Sequence, residues 1–334
     1  MKYLPLLLLI LCLSCGDGSS SRQAANVADS VLHTPLVQPL TDSILRFPDN
    51  AGLYFRRGLL LFNTHPLLAQ ADFEKAAALQ PAVTDHWAGA GEAALVNERY
   101  DTAAIFFEKA LRTMPGNAYL QYRLAMAWVE SRQYQRADSL ATVMEEQPEA
   151  HAQAFYLKAR MAEDRKDTLS AIAHLKTAVE AAGAQSEYEA VMELAHLLRA
   201  TRAADAPRYY ELAYSQDPAN AEPLFEMGQY YEELGRTKEA TATYKRCIVT
   251  DPDYAAAYTA LGKLGVRHRQ WKSALDYFNM AAKASPANAE AYYYRGLCYE
   301  QLGNRNAALS DFAKALSFRK EYPEARAAWD KLSR

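Results

Sequence analysis

The chain has 334 residues, half of them hydrophobic and 23% charged, with a formal net charge of −3. That balance suits a folded, water-soluble protein, and the length alone would suggest two or three compact domains. Nucleic-acid binding usually needs a concentrated basic patch, and the local spot Arg267-His268-Arg269 is too short to supply one.

Met1-Lys2-Tyr3 precedes an apolar run from Leu4 to Leu13 that contains Pro5. At helical rise this run is too short to cross a hydrocarbon core of ~30 Å, and a basic residue, a short apolar run and small residues make a secretory leader. Leu13-Ser14-Cys15-Gly16 resembles a bacterial lipoprotein cleavage box, with Cys12 departing from the Leu usual in that family. The resemblance implies a leader over 1–14 and a lipid on Cys15 as the first mature residue. An ordinary leader cut nearby, with Cys15 incidental, is the alternative. Several acyl chains would anchor stably, at ~0.8 kcal/mol per buried CH₂. Residues 15–38, opening with Gly16-Asp17-Gly18-Ser19-Ser20-Ser21, read as a flexible tether. The second mature residue would be Gly16, not the Asp of an inner-membrane retention signal. The expected location is therefore a bacterial envelope, at the outer membrane, on its periplasmic or surface face.

Leu40–Phe47, stopped by Pro48, reads as an N-terminal capping helix within 39–49. Eight units then fill 51–322, and their registers repeat. Ala69, Ala103, Ala137, Ala171, Ala206, Ala240, Ala274 and Ala308 lie 34 apart except for one step of 35. Four residues on come Phe73, Phe107, Ala141, Leu175, Tyr210, Tyr244, Phe278 and Phe312; three further on come Ala76, Ala110, Met144, Ala178, Ala213, Cys247, Ala281 and Ala315. The i, i+4, i+7 spacing places these on one helix face. The preceding helices carry Gly58, Gly91, Ala125, Ala159, Ala195, Gly228, Gly262 and Gly296. Small side chains let helices approach closely. Pro81, Pro115, Pro148, Pro218, Pro252 and Pro286 end second helices, and Asn50, Asn117, Asn220 and Asn288 stand as N-caps of first helices. Pro323 opens a terminal capping helix within 323–334.

The fullest unit runs Trp87-x2-Ala90-Gly91-x2-Ala94, then Ala103, Phe107, Ala110 and Pro115. This grammar resembles the tetratricopeptide repeat (TPR). The resemblance implies an all-α fold of helix-turn-helix repeats stacked in a right-handed superhelical solenoid, with the first helices lining a concave groove that binds extended or helical peptides.

Carried onto this chain, the groove positions are Phe55, Arg56, Tyr119, Tyr122, Arg123, Met126, Tyr156 and Arg160 in the N-terminal half. In the C-terminal half they are Glu189, Glu193, Glu222, Glu226, Glu232 and Glu233, with Tyr293 and Tyr294 beyond. The first set is aromatic and cationic, a hot-spot composition; the second is acidic and would favour a partner carrying Lys or Arg. The plainer alternative makes the rings interhelical packing and the carboxylates a solvated face. The clamp by which chaperone-binding TPRs hold a terminal carboxylate is not matched, since Phe55, Leu59, Gly89 and Tyr119 stand at its positions and only Arg123 fits.

No phosphate loop or nucleophile elbow is present. The seven His have no metal-ligand spacing, and neither a cofactor nor a catalytic residue is expected. Cys247 falls in a column held mostly by Ala and reads as a small buried apolar residue, on a different helix from Cys298. The expected function is a non-enzymatic, lipid-anchored scaffold that binds protein or peptide segments. A self-associating structural component of an envelope assembly (pilus, secretion or peptidoglycan-modifying) is the alternative.

Overall fold

The structure, a computed structural model, describes residues 30–334. The expected leader over 1–14, the lipidation position Cys15 and the tether up to residue 29 lie outside the described residues. Among the described residues all regular structure is helical. The chain divides into two units between Met161 and Ala162.

The first unit holds α1 (Gln38–Arg46), α2 (Ala51–Leu61), α3 (Pro66–Leu79), α4 (Thr84–Val96), α5 (Tyr100–Thr113), α6 (Ala118–Glu130), α7 (Tyr134–Glu145) and most of α8 (His151–Asp164). Each helix from α1 to α6 packs on the next. The second unit holds α9 (Thr168–Ala182), α10 (Tyr188–Ala200), α11 (Ala206–Gln216), α12 (Glu222–Glu233), α13 (Thr237–Thr250), α14 (Ala255–Arg267), α15 (Trp271–Ala284), α16 (Ala289–Gln301), α17 (Arg305–Phe318) and α18 (Pro323–Ser333), again packed in sequence.

Local chemistry sets the helix ends. The Asn50, Asn117 and Asn288 side chains accept from the N–H groups of Gly52, Leu120 and Ala291, which satisfies donors that have no partner within the helix. Asn220 accepts from Glu222 N–H at 2.9 Å, but Ala221 occupies the cap position itself. Asp167 and Asn304 cap α9 and α17 in the same way.

The methyl column of Ala69, Ala103, Ala137, Ala171, Ala206, Ala240, Ala274 and Ala308 is wholly buried. Five glycines of the first helices face the ring one column away. A Cβ built on Gly58, Gly91, Gly228, Gly262 or Gly296 would lie 2.5–2.7 Å from Phe73, Phe107, Tyr244, Phe278 or Phe312 respectively. Where the opposing residue shrinks to Ala141 or Leu175, the first helix carries Ala125 or Ala159 instead. Helix approach is thus set by paired sizes, with glycine wherever a ring has to fit, except that Ala195 stands in the unit of Tyr210.

One segment differs from the expected tether. Val37 is buried, Val31 and Leu32 pack on the first unit's core, and Thr41 Oγ1 donates to Leu32 O at 2.8 Å. These apolar side chains cover the edge that α1 and α2 would otherwise leave wet, so residues 30–38 belong to the folded array.

The turns between first and second helices contain left-handed backbone at Glu98, Arg132, Lys166, Arg202 and Arg269, with Gly235 and Gly303 at the matching places. The conformation closes each first helix: Arg99 N–H reaches Ala94 O and Gln133 N–H reaches Trp128 O, at 2.8 and 2.7 Å. A residue with a Cβ costs ~1–2 kcal/mol there, while glycine's freer unfolded chain returns ~0.4–1 of the gain. Glu98→Gly with Arg132→Gly is therefore expected to raise stability by about 0.5–1 kcal/mol per site. A urea midpoint that falls would show that the two side chains contribute more than the strain they impose.

Candidate functional site

In the first unit, the groove-facing set is more tightly internal than its composition suggests. Phe55 is half-buried, its ring 5.4 Å from Phe73 and 5.1 Å from His86. Tyr122 and Met126 likewise pack partly against the core. Tyr119 is exposed, but its hydroxyl donates to Glu92 Oε1 at 2.7 Å. Arg123 grips the same carboxylate with two nitrogens, its Nε at 2.7 Å. Burial, then the bond to Glu92, pushes the Tyr119 hydroxyl up to about 12. Arg160 lies 3.5 Å from Glu130. Arg56 is exposed and Tyr156 half-buried. The expected cationic character is thus largely cancelled by Glu92 and Glu130, two acids on neighbouring first helices.

The second unit shows the opposite compensation. Arg199 lies among the expected acids: its guanidinium bonds both Glu226 and Glu233, and Nη1 also donates to Gln229 Oε1 at 3.1 Å. Glu232 accepts from Arg267 and, at 3.0 Å, from the Tyr244 hydroxyl. Lys263 Nζ meets Glu290 Oε1 at 3.0 Å. The face is a chain of ion pairs rather than a uniformly acidic strip. Glu189 and Glu222 are exposed at its edge, and Glu193 is half-buried. Sequence reading selected the carboxylates and left Arg199, Lys263, Arg267 and Glu92 out of the groove positions.

These residues border a cavity of about 730 Å³ over α12, α14 and the start of α16. Its origin is legible in side-chain size. At three groove positions α6 carries Tyr119, Tyr122 and Arg123, α12 carries Glu222, Phe225 and Glu226, and α16 carries Glu290, Tyr293 and Tyr294. The same positions of α14 carry only Ala256, Thr259 and Ala260. A notch results, with Phe225 on one side, Asn288 and Glu290 on the other, and Glu232, Glu233, Arg199, Lys263 and Arg267 around it.

The electrostatics favour binding over proton transfer. Glu233 is held below the usual carboxylate range by its bonds to Arg199, and those same bonds raise Arg199. Burial, then Glu232, pushes the Tyr244 hydroxyl far up. Burial works against the Lys263 charge, but Glu290 outweighs it and the ammonium is held. Each of these shifts moves a group away from neutral pH, the reverse of what general acid–base catalysis requires. His196 is exposed, 6.0 Å from the Tyr210 ring. No cluster of three metal-ligating side chains occurs among the described residues.

Comparison with known families agrees with the packing. One tetratricopeptide repeat profile matches residues 59–118 and 259–329, and a second matches 197–264. The chain is a tetratricopeptide repeat protein. Residues 96–178 also match the profile of anaphase-promoting complex (cyclosome) subunit 3. Tetratricopeptide repeat protein 16 of Mus musculus is 30% identical over 125 residues, covering 35% of this chain and 16% of that protein. The tetratricopeptide repeat and J domain-containing co-chaperone DNJ1 of Fusarium oxysporum is 33% identical over 81 residues, covering 24% of this chain and 15% of that protein. The chain thus spans about a sixth of the length of these curated relatives. Among solved structures, MamA protein is similar at 22% identity and a TM-score of 0.44, covering 51% of this chain and 92% of MamA. TPR arrays are typically non-enzymatic scaffolds for protein interaction.

Proposed function

We propose that this TPR protein is a non-enzymatic scaffold, lipid-anchored through Cys15 at a bacterial envelope membrane, that holds an extended partner segment across the first-helix face of its second unit. The observation that carries the reading is the notch of about 730 Å³ opened by the small residues of α14. It is large enough for a bulky side chain of a bound segment, and rigid helices on either side need little ordering to receive it. Glu226, Glu232, Glu233 and Glu290 outnumber Arg199, Lys263 and Arg267, so a basic side chain entering the notch fits the local field. Cys15 followed by Gly16 supports the anchor and favours the outer membrane.

A photo-crosslinking residue at exposed Ala256 tests the site, with exposed Val249 on α13 as the control. A discrete adduct is expected from position 256 and not from 249, and Ala260→Trp, which fills the notch, removes it. Equal adducts from both positions, or none from 256, would sink the proposal. Anchoring is read separately: Cys15→Ser should release the protein from membranes and abolish the acyl mass increments.

A further inference from the structure

Over the first three second-to-first turns of the second unit its two edges carry opposite charge, while further along the same edge Lys283, Arg319 and Lys320 make the charge mixed. At one edge lie the turns that lead from second helices into first helices, and here stand Glu187, Glu189, Asp217, Glu222, Asp251 and Asp253. Stretches 181–190, 213–224 and 247–258 contain no Lys or Arg. None of the six carboxylates is in an ion pair among the described residues. Their field is felt nearby: Tyr188 and Tyr258 are raised first by burial and then by these carboxylates.

At the other edge, first helices turn into second helices. Arg202, Lys238, Arg269, Lys272 and Arg305 are exposed there and form no ion pair among the described residues. Of the acids beside them, Asp205 is compensated by Lys176 and Glu239 by Arg236, while exposed Asp276, one turn from Lys272 on α15, forms no ion pair among the described residues. A first helix of this length separates the edges by ~20 Å. That exceeds two Debye lengths of ~8 Å at physiological salt, so the edges cannot neutralise one another within one molecule.

Over three consecutive repeats both charge sets recur once per repeat and therefore share the pitch of the stack. We infer that the second unit self-associates edge to edge, the acidic turns at 187–189, 217–222 and 251–253 of one copy docking on the basic turns at 202, 236–238, 269–272 and 305 of another. A basic partner of another kind would engage the acidic edge and leave the cationic one unused, whereas a second copy satisfies both in register. The contact is heterologous, so it propagates beyond a dimer, into open rows or closed rings according to the rotation between copies. It uses the turns, leaves the α14 notch open, and does not rest on the scaffold reading.

Sedimentation of the full chain bearing Cys15→Ser tests this at low salt (about 20 mM) and high salt (about 0.5 M). Mass is expected to grow with concentration at low salt and to fall to that of a monomer at high salt. Glu187→Lys with Asp253→Lys, and separately Arg269→Glu with Lys272→Glu, should each weaken association by more than about tenfold, because like charges then face each other. Mixing the two variants should restore assembly, since each reversed edge now meets its opposite on the other variant. A wild-type monomer at all concentrations in low salt would overturn the inference. So would salt-independent association, or failure of the mixed variants to assemble while circular dichroism shows both folded.

Discussion

Asp72→Ala is expected to cost the N-terminal end of the array about 3–5 kcal/mol, the magnitude seen when one partner of a buried ion pair is removed. Arg57 Nε and Nη2 each lie 2.7 Å from an Asp72 oxygen, and Arg57 Nη1 donates to Thr41 Oγ1 at 3.2 Å, tying α1 to the first repeat. Both residues are buried, so the variant leaves a guanidinium without its counter-charge. The last repeat repeats the device, with Arg295 held by Asp311 at 2.6 and 2.7 Å. Apart from the fourth, which has Lys158 and His174, interior repeats solve the same two positions without charge, for example with Leu124 and Leu140, or Leu261 and Tyr277. Arg57→Leu combined with Asp72→Leu should accordingly recover most of the loss. Burial pushes the Asp72 carboxyl up despite Arg57. The folded form therefore binds that proton more readily than the unfolded chain, and this group's contribution falls as pH rises above its unfolded value near 3.8. Acid alone should not mimic the mutation. Hydrogen exchange across α1–α3 is the measurement, because a repeat array opens from its ends. A loss below about 1 kcal/mol, or a double variant worse than both singles, would show that the pair is not what holds this end.

The repeat frame was readable because its determinants are local and size-coded. Ala103, Phe107 and Ala110 occupy one helix face whatever lies beyond, and the same spacing in eight units averages out single substitutions. The left-handed turns were less visible. Gly235 and Gly303 mark the position openly, but Arg132, Lys166, Arg202 and Arg269 conceal it, since six-residue closure of the preceding helix holds a non-glycine there at a tolerable cost. The folded segment 30–38 was hidden for another reason. Val31, Leu32 and Val37 show no helical period, and only the uncovered edge of α1 and α2 gives them a place.

At the site, sequence placed residues on the correct element and misjudged their sum. Arg199 is 27 positions from Glu226 and 34 from Glu233, and it joins them because adjacent first helices stand side by side. Periodicity predicts that adjacency. It does not predict which long side chains cross the gap, because that depends on rotamers and on the offset between helices. Selecting residues by sign then counted Glu226, Glu232 and Glu233 as an uncompensated set. The notch was more accessible: three small residues at Ala256, Thr259 and Ala260 stand where the flanking first helices α12 and α16 carry rings or long charged chains, a signal in the aligned repeats themselves that only α4, with Asp85, Ala88 and Gly89, comes near to sharing.

Phe278→Ala is expected to remove about 3–5 kcal/mol from the second unit, and Gly262→Ala about 1–3 kcal/mol, for opposite reasons. The ring is wholly buried against Ala274 and Cys298, so truncation leaves a cavity that rigid neighbours cannot collapse. A methyl on Gly262 instead would lie 2.6 Å from the ring edge and force α14 away from α15. Because one contact is responsible for both penalties, Gly262→Ala with Phe278→Leu should cost less than the two changes added together. The fourth repeat, with Ala159 and Leu175, already uses that combination. Cys298 supplies a local readout. Its thiol is fully buried and pushed up by desolvation to about 12, so it should resist thiol reagents at pH 8 in the wild type. Faster labelling in Phe278→Ala, and near wild-type rates in the paired variant, would trace the opening to this interlock; strictly additive losses would mean that helix spacing here is governed by contacts other than the glycine and the ring.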